Sequence, residues 1–153
     1  MMTTAYKRPE SVLVVIHTPD LQILMLERAK HPGYWQSVTG SREDDETFVQ
    51  TALREVHEET GLVIQPEQLR VWPGENVYTI MPEWRHRFAP GVTHNRERVF
   101  SLCLPEPCDI RIAPDEHRAW RWQPYAEAAA ACFSASNRDA ILALQDAPPA
   151  TTS

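Results

Sequence analysis

Three glutamates, Glu55, Glu58 and Glu59, stand at spacings of three and four in the stretch TALREVHEETGL. In a helix turning about 100° per residue, their carboxylates share one face across an arc of about 100°. Like charges so spaced cost an isolated helix about 0.2–0.5 kcal/mol per pair. A hard divalent cation turns that repulsion into coordination, because carboxylate oxygens are the ligands Mg²⁺ and Mn²⁺ prefer. Mg²⁺ also bridges protein carboxylates to substrate phosphates. Residue type and spacing therefore point to metal-dependent chemistry on a phosphate compound. The competing reading of an acidic helix face is simple solvation.

The elements that must position this face can be read around it. Thr47 is the N-cap candidate, with Gln50 three residues later in a capping-box pattern, and Gly61 supplies the C-terminal stop. Between them Val49, Ala52, Leu53 and Val56 form an apolar stripe beside the acidic one. One flank would pack on a sheet while its neighbour holds metal. Upstream, residues 12–16 and 23–26 are aliphatic and β-branched runs split by Thr18-Pro19-Asp20, which predicts an antiparallel hairpin. Residues 35–38 lead into a loop at Gly40. Downstream, residues 62–64 and 69–72 read as strand segments flanking Gln65-Pro66-Glu67. Residues 76–81, 98–104 and 117–122 read as further strands, the first two separated by the loop-like MPEWRHRFAPGVTHN. Residues 125–133 and 137–144 predict two helices, the second capped by Ser136. Residues 1–146 thus predict a single α/β domain, a mixed β-sheet sandwiched between α-helices, and residues 147–153 a disordered tail.

A chain of 153 residues is long enough for one real core and too short for two. Its net charge of −6 argues against electrostatic capture of nucleic acid or an acidic membrane. A polyphosphate substrate would need bound metal and a local basic patch to reverse that sign. The apolar run at 12–16 is too short for a signal-peptide core or a membrane span. Cys103, Cys108 and Cys132 are odd in number and lack zinc spacing, which reads as unpaired thiols in a reducing, cytoplasmic setting.

From Gly40 to Leu62 the chain is similar to the signature of the Nudix hydrolases at every defining position: Gly40, Glu46, Arg54, Glu55, Val56, Glu58, Glu59, Gly61 and Leu62. Seven of these are fixed single residues, so a chance match has odds on the order of one in 10⁸ per start position, and the solvated-face reading gives way. The resemblance implies an α/β/α sandwich, Mg²⁺ as cofactor with Mn²⁺ the alternative, and hydrolysis of a diphosphate linkage. It makes Glu55 and Glu59 the leading ligands, and Glu58 a third ligand or a base acting through metal-bound water. The base role stays open between Glu55 and Glu58. The carbonyl of Thr39 would join the metal shell, Glu46 and Arg54 would pair to hold the loop onto the helix, and Gly40 and Gly61 would be structural. Two residues depart from the common pattern, Asp45 and Ser41, each where glycine is frequent. Asp tolerates a left-handed backbone better than most residues, so the turn survives.

Outside this box, YKRP at 6–9, WQSVTGS at 35–41, RHRFAPGVT at 85–93, EH followed by Trp120 and Trp122, and SNR at 136–138 resemble the bacterial folate-pathway branch of the family. That resemblance implies conversion of 7,8-dihydroneopterin triphosphate to its monophosphate and pyrophosphate. It adds Glu116 as a metal ligand and brings Lys7, Arg28, Thr39, Tyr78, Thr79, Ile80, Met81 and Ser134 to the substrate, with Ser136 the alternative to Ser134. Arg85-His86-Arg87 is the densest basic patch; it guides a triphosphate, or satisfies nearby acids or a dimer contact. Trp35, Trp72, Trp84, Trp120 and Trp122 offer core packing or a stacking partner for a pterin ring. Two other readings stand beside this one. A nucleoside triphosphate pyrophosphatase would share the metal site, and a non-catalytic nucleotide-sensing module would be expected to lack one of its carboxylates.

Overall fold

A computed structural model describes residues 6–146. Its central strand is β1 (Glu10–His17), in which six consecutive residues are buried. Such an uninterrupted run marks a strand covered on both faces. Val12, Val14 and Ile16 pack with Ala52 and Val56 of α1 (Phe48–Thr60), while Val15 joins Ala128, Ala129 and Ile141 of α2 (Tyr125–Ala131) and α3 (Ala135–Ala143). Alternating side chains of one strand thus build two cores, and the molecule has three layers, helix on sheet on helices.

β1 runs parallel to β7 (His94–Cys103) and antiparallel to β4 (Val38–Ser41). β2 (Gln22–Arg28) pairs antiparallel with β3 (Trp35–Gln36) and β8 (His117–Pro124). β5 (Leu69–Val71) and β6 (Asn76–Thr79) both pair antiparallel with β7. The sheet is mixed, as expected.

The expected hairpin forms only at its turn. β1 and β2 share the single pair His17↔Ile23 and then diverge. Residues 35–41 fill the gap, β3 following β2 and β4 following β1, with Ser37 at the changeover. Asn137 of α3 fixes that point: Ser37 N–H donates to Asn137 Oδ1 at 2.8 Å, and Asn137 Nδ2 donates to Ser37 Oγ at 3.0 Å. Gly40 therefore lies inside β4 rather than in a loop.

The caps of α1 are those expected. Thr47 and Gln50 form the reciprocal capping box, and Gly61 takes a left-handed conformation (φ 77°). Residues 62–64 alternate as a strand would, with Leu62 and Ile64 against the core and Val63 exposed, yet they form no strand. α3 starts earlier than expected, so Ser134 rather than Ser136 is its N-cap, accepting from Asn137 N–H. β7 also starts earlier, at His94, and the preceding loop contains a 3₁₀ turn, Pro82–Arg87. The left-handed residue before α1 is Asp44 (φ 47°), not Asp45. The three cysteines are free thiols. Among the described residues no helix is long and apolar enough to cross a membrane. The expected tail, 147–153, lies outside the described residues.

Candidate active site

The three helical carboxylates divide. Glu55 and Glu59 are buried, at 8% and 2% exposure, while Glu58 keeps 47% of its side chain in solvent. Glu55 and Glu59 are separated by about 40° around the helix, and Glu58 falls about 60° to the other side of Glu55, toward solvent. Among the described residues no three Glu, Asp, His or Cys side chains already converge as a metal cage.

Arg54 organises the outer part of this group. Its Nε and Nη2 reach Glu46 Oε2 and Oε1 at 2.7 and 3.0 Å, and Nη2 also donates to the Ser41 carbonyl at 2.9 Å. Its Nη1 lies 2.7 Å from Glu55 Oε1 and 3.3 Å from Glu58 Oε2. One guanidinium thus ties strand end, loop and helix together through a two-pronged carboxylate pair. The Arg54 hydrogen bonds hold Glu46 down to a pKa of about 2, helped by the Glu43 N–H and the Thr51 hydroxyl. A depressed carboxylate stabilises the fold above its unfolded value, near 4.5, and loses that contribution as pH falls toward 2. Glu46→Gln is therefore expected to cost about 1.5–3 kcal/mol at pH 7, as hydrogen bonds to charged groups do. In urea titrations its deficit against wild type should shrink from pH 4.5 downward; a deficit that does not change with pH would contradict this account.

Glu59 is the least satisfied group in the site. Both its carboxylate oxygens are buried without a hydrogen-bond partner. Burial raises its pKa first, and the neighbouring Glu55 and Glu116 push it further, with the Thr39 backbone opposing. His117 Nε2 lies 3.6 Å from Glu59 Oε1. Yet burial, with the nearby Arg28 charge, lowers His117 to about 4, so it is neutral at pH 7 and cannot compensate the carboxylate. Gly40 faces this group from β4: a methyl added there would overlap the Glu55 carboxylate. Glycine is required here by close approach, since its φ is ordinary.

A basic arc faces these acids. Burial, then the charges of Arg87 and Arg28, lowers Lys7 to about 8, while Glu55 and Glu116 pull it the other way. Arg28 is lowered by burial and by Arg87, and is drawn up by Glu59 and Glu116. Backbone bonds set these positions. Lys7 N–H donates to the Arg87 carbonyl at 2.9 Å, and Ala29 N–H to the Glu116 carbonyl at 2.9 Å. The β2–β8 register shifts beside Arg28, an irregularity of the kind that re-aims a side chain. Lys7, Arg28, Glu55, Glu59 and Glu116 are thus brought together. Arg87 and His117 join them; the sequence offered Arg87 only within the Arg85-His86-Arg87 patch and gave His117 no role, because only the 3₁₀ turn and the start of β8 distinguish them from their neighbours. Arg85 turns away, its Nε donating to the Ile80 carbonyl.

Thr39 Oγ1 is spent on the Val12 carbonyl. Tyr78 and Thr79 end β6, Ile80 is buried with its N–H on the Thr93 carbonyl, and Met81 is exposed. Ser134 shares its hydroxyl with Ser136. Of the tryptophans, Trp84 lies under Arg28 at 5.0 Å and meets His31 and Phe133 edge-on. Trp72 and Trp122 spend their indole N–H groups on Ser101 and on the Cys108 carbonyl.

The NUDIX domain family matches residues 7–144. The chain belongs to the NUDIX family. It is 45% identical over 144 residues to the dihydroneopterin triphosphate diphosphatase of Escherichia coli K12, covering 92% of this chain and 95% of that protein. It is 40% identical over 139 residues to the Haemophilus influenzae protein of the same name, covering 89% and 87%. The solved E. coli dihydroneopterin triphosphate pyrophosphohydrolase superposes with a TM-score of 0.82 at 46% identity, covering 90% and 94%. A C. elegans Ap4A hydrolase shares the fold, with a TM-score of 0.63 at 18% identity.

Nudix hydrolases depend on divalent metal, and the residues present fit such an ion. Glu59 offers two buried oxygens with no partner, Glu55 and Glu116 crowd it with like charge, and the adjacent histidine is neutral. Buried carboxylates so placed need a cation.

Proposed function

We propose that this Nudix protein converts 7,8-dihydroneopterin triphosphate and water to dihydroneopterin monophosphate and pyrophosphate. The observation that carries this reading is the apposition of cation-short carboxylates with Lys7, Arg28 and Arg87 in a chain similar over nine-tenths of its length to enzymes so named. Glu55, Glu59 and Glu116 would hold Mg²⁺, with Mn²⁺ the alternative, and Glu58 at the rim would serve as a further ligand or as the base. When bound, the cation supplies charge neutralisation at the phosphoryl oxygens and acidifies water.

The chain's own residues do the rest. Lys7, Arg28 and Arg87 grip the non-bridging oxygens of the triphosphate, and the partial burial of Lys7 and Arg28 strengthens their contacts, while Arg87 reaches in from the exposed 3₁₀ turn. The crowding that lowers Lys7 is relieved when phosphate charge arrives. Neutral His117 lies 3.6 Å from Glu59 and adds no positive charge there. The Arg54–Glu46 clamp fixes the loop and keeps Glu55 Oε1 in place, and Gly40 leaves the space Glu55 occupies. Tyr78, Thr79, Ile80, Met81 and Ser134 border the rest of the substrate. In this reading residues 1–146 act as one domain in the cytoplasm, on a small molecule, without nucleic acid or membrane.

The test is pyrophosphate release from dihydroneopterin triphosphate, with Mg²⁺ or with chelator, beside the common nucleoside triphosphates. Metal-dependent release, fastest from the pterin, is the expected result. A nucleotide preferred by about 100-fold, a margin specific polar contacts reach, would keep the chemistry and remove the pterin. No release from any of them by folded, metal-loaded protein would favour a sensing module.

A further inference from the structure

Beneath α3, on the opposite side of the sheet from α1, lies a carboxylate that the hydrolytic site does not use. Glu97 of β7 is 4% exposed. It stands opposite Ser11 of β1 and Asn76 of β6. Its Oε1 accepts from Asn76 Nδ2 at 3.1 Å, and the Ser136 hydroxyl also bonds to it. No lysine, arginine or histidine among the described residues forms an ion pair with it. Its chain neighbours Arg96 and Arg98 project to the other face, as alternation requires, and pair there with Glu75. Burial pushes its pKa up, with no cation to oppose.

Two residues along the same face, Asn95 is also 4% exposed. Its Nδ2 donates to Ser11 Oγ at 2.7 Å and to the Tyr78 hydroxyl at 3.0 Å, and its Oδ1 is buried with no partner. Beside these groups a cavity of about 200 Å³ opens between sheet and α3, lined by Trp72, Asn76, Val99 and Ser136 among others. Asn76 and Ser136 thus both bond Glu97 and wall the cavity. The space is large enough for a bicyclic heterocycle.

A buried carboxylate without a cation and a buried carbonyl without a donor are each costly. Both are acceptors: Glu97 has two neutral donors and no cation, the Asn95 carbonyl has no donor, and each has a lone pair left for an N–H. A ring with an amino group next to a ring N–H offers two parallel donors at the spacing of a carboxylate's oxygens. We propose that Glu97, supported by Asn95, reads the 2-amino-4-oxo edge of the substrate's ring and is the residue that makes this hydrolase choose a pterin. This rests on the substrate reading above. The distances allow it. Ser11 lies opposite both Glu97 and Ser41, and Ser41 follows the Gly40 that packs on Glu55, so along the sheet the Glu97 and Ser41 backbones are two strand spacings apart, about 10 Å. A three-carbon side chain and its first phosphate cover that span.

The test has two arms. Fluorescence titration of the full chain with pterin and with lumazine, the same ring with a 2-oxo in place of the 2-amino group, should show pterin bound at least about 10-fold tighter, and Glu97→Gln should erase the difference. In turnover, Glu97→Gln should lower the kcat/KM ratio of dihydroneopterin triphosphate over ATP by about 10- to 100-fold, mostly through KM, because glutamine keeps an acceptor for Asn76 and removes only one of two. Should the variant fail to fold by thermal melting, the wild-type contrast decides alone, and equal affinity for the two rings overturns the proposal. A wild type fastest on the pterin triphosphate, with its preference intact in Glu97→Gln, overturns this inference and leaves the function standing. A wild type fastest on ATP removes both.

Discussion

Glu59→Gln is expected to cut pyrophosphate release by about 10²–10⁴-fold while leaving the metal-free protein as stable as wild type or more so. The two halves of this result share one cause. Glu59 is 2% exposed, has no hydrogen-bond partner on either oxygen, and is crowded by Glu55 and Glu116. An uncompensated buried carboxylate is a liability to folding, so an uncharged amide of the same shape relieves it. In the proposed role that liability is the binding site for the ion. Adding Mg²⁺ at 100 times its Kd should therefore stabilise wild type by about 2.7 kcal/mol and the variant by much less. Thermal melts with and without Mg²⁺, read beside a pyrophosphate assay, check both halves. A variant that loses stability without metal, or keeps its metal response, would show that Glu59 is an ordinary core residue.

The second large effect is expected at Gly40→Ala. The added methyl would overlap the Glu55 carboxylate, so either β4 or the Glu55 side chain must shift. Overpacking of this kind costs about 1–3 kcal/mol. The functional loss should exceed what that suggests. A displacement of about 1 Å in a positioning group can cost about 10²-fold in rate, and Glu55 is held by Arg54 on one side and by the glycine surface on the other. The expected outcome is a protein that melts a few degrees lower but loses about 100-fold in kcat at saturating substrate. Wild-type kcat in a folded Gly40→Ala protein would mean that Glu55 does not need its present position.

What could be read from the chain was mostly local. The capping box at Thr47 and Gln50, the stop at Gly61 and the stripe of Ala52 and Val56 all belong to one thirteen-residue helix and its two caps, and each appears as expected. Pairing between distant strands was harder. Residues 12–26 look like a hairpin because the turn signal is strong, yet β1 spends its edges on β4 and β7 instead. Residues 62–64 carry strand alternation without a strand to bond. The division of the glutamate trio was legible only in part: helical angle separates Glu58 from Glu59, but only the packed sheet decides which flank is buried. Arg87 could not be chosen over Arg85 without the bond from the Lys7 N–H. Glu97 and Asn95 were silent because β7 begins HNRERV, where buried polar residues alternate with exposed charged ones and no apolar pattern marks the inner face.

The divergence of β1 from β2 has a further consequence for how this site is held together. Arg28, Glu116 and His117 ride on the leaf made by β2 and β8, whereas Gly40, Glu55 and Glu59 ride on the leaf made by β1, β4 and α1. The 3.6 Å approach of His117 to Glu59 crosses between them. Spacing in the site is therefore an angular property of the whole sandwich, like the gap between two pages governed at the spine. Asn137, pinned to Ser37 at that spine, controls it from a helix that touches neither the acids nor the bases.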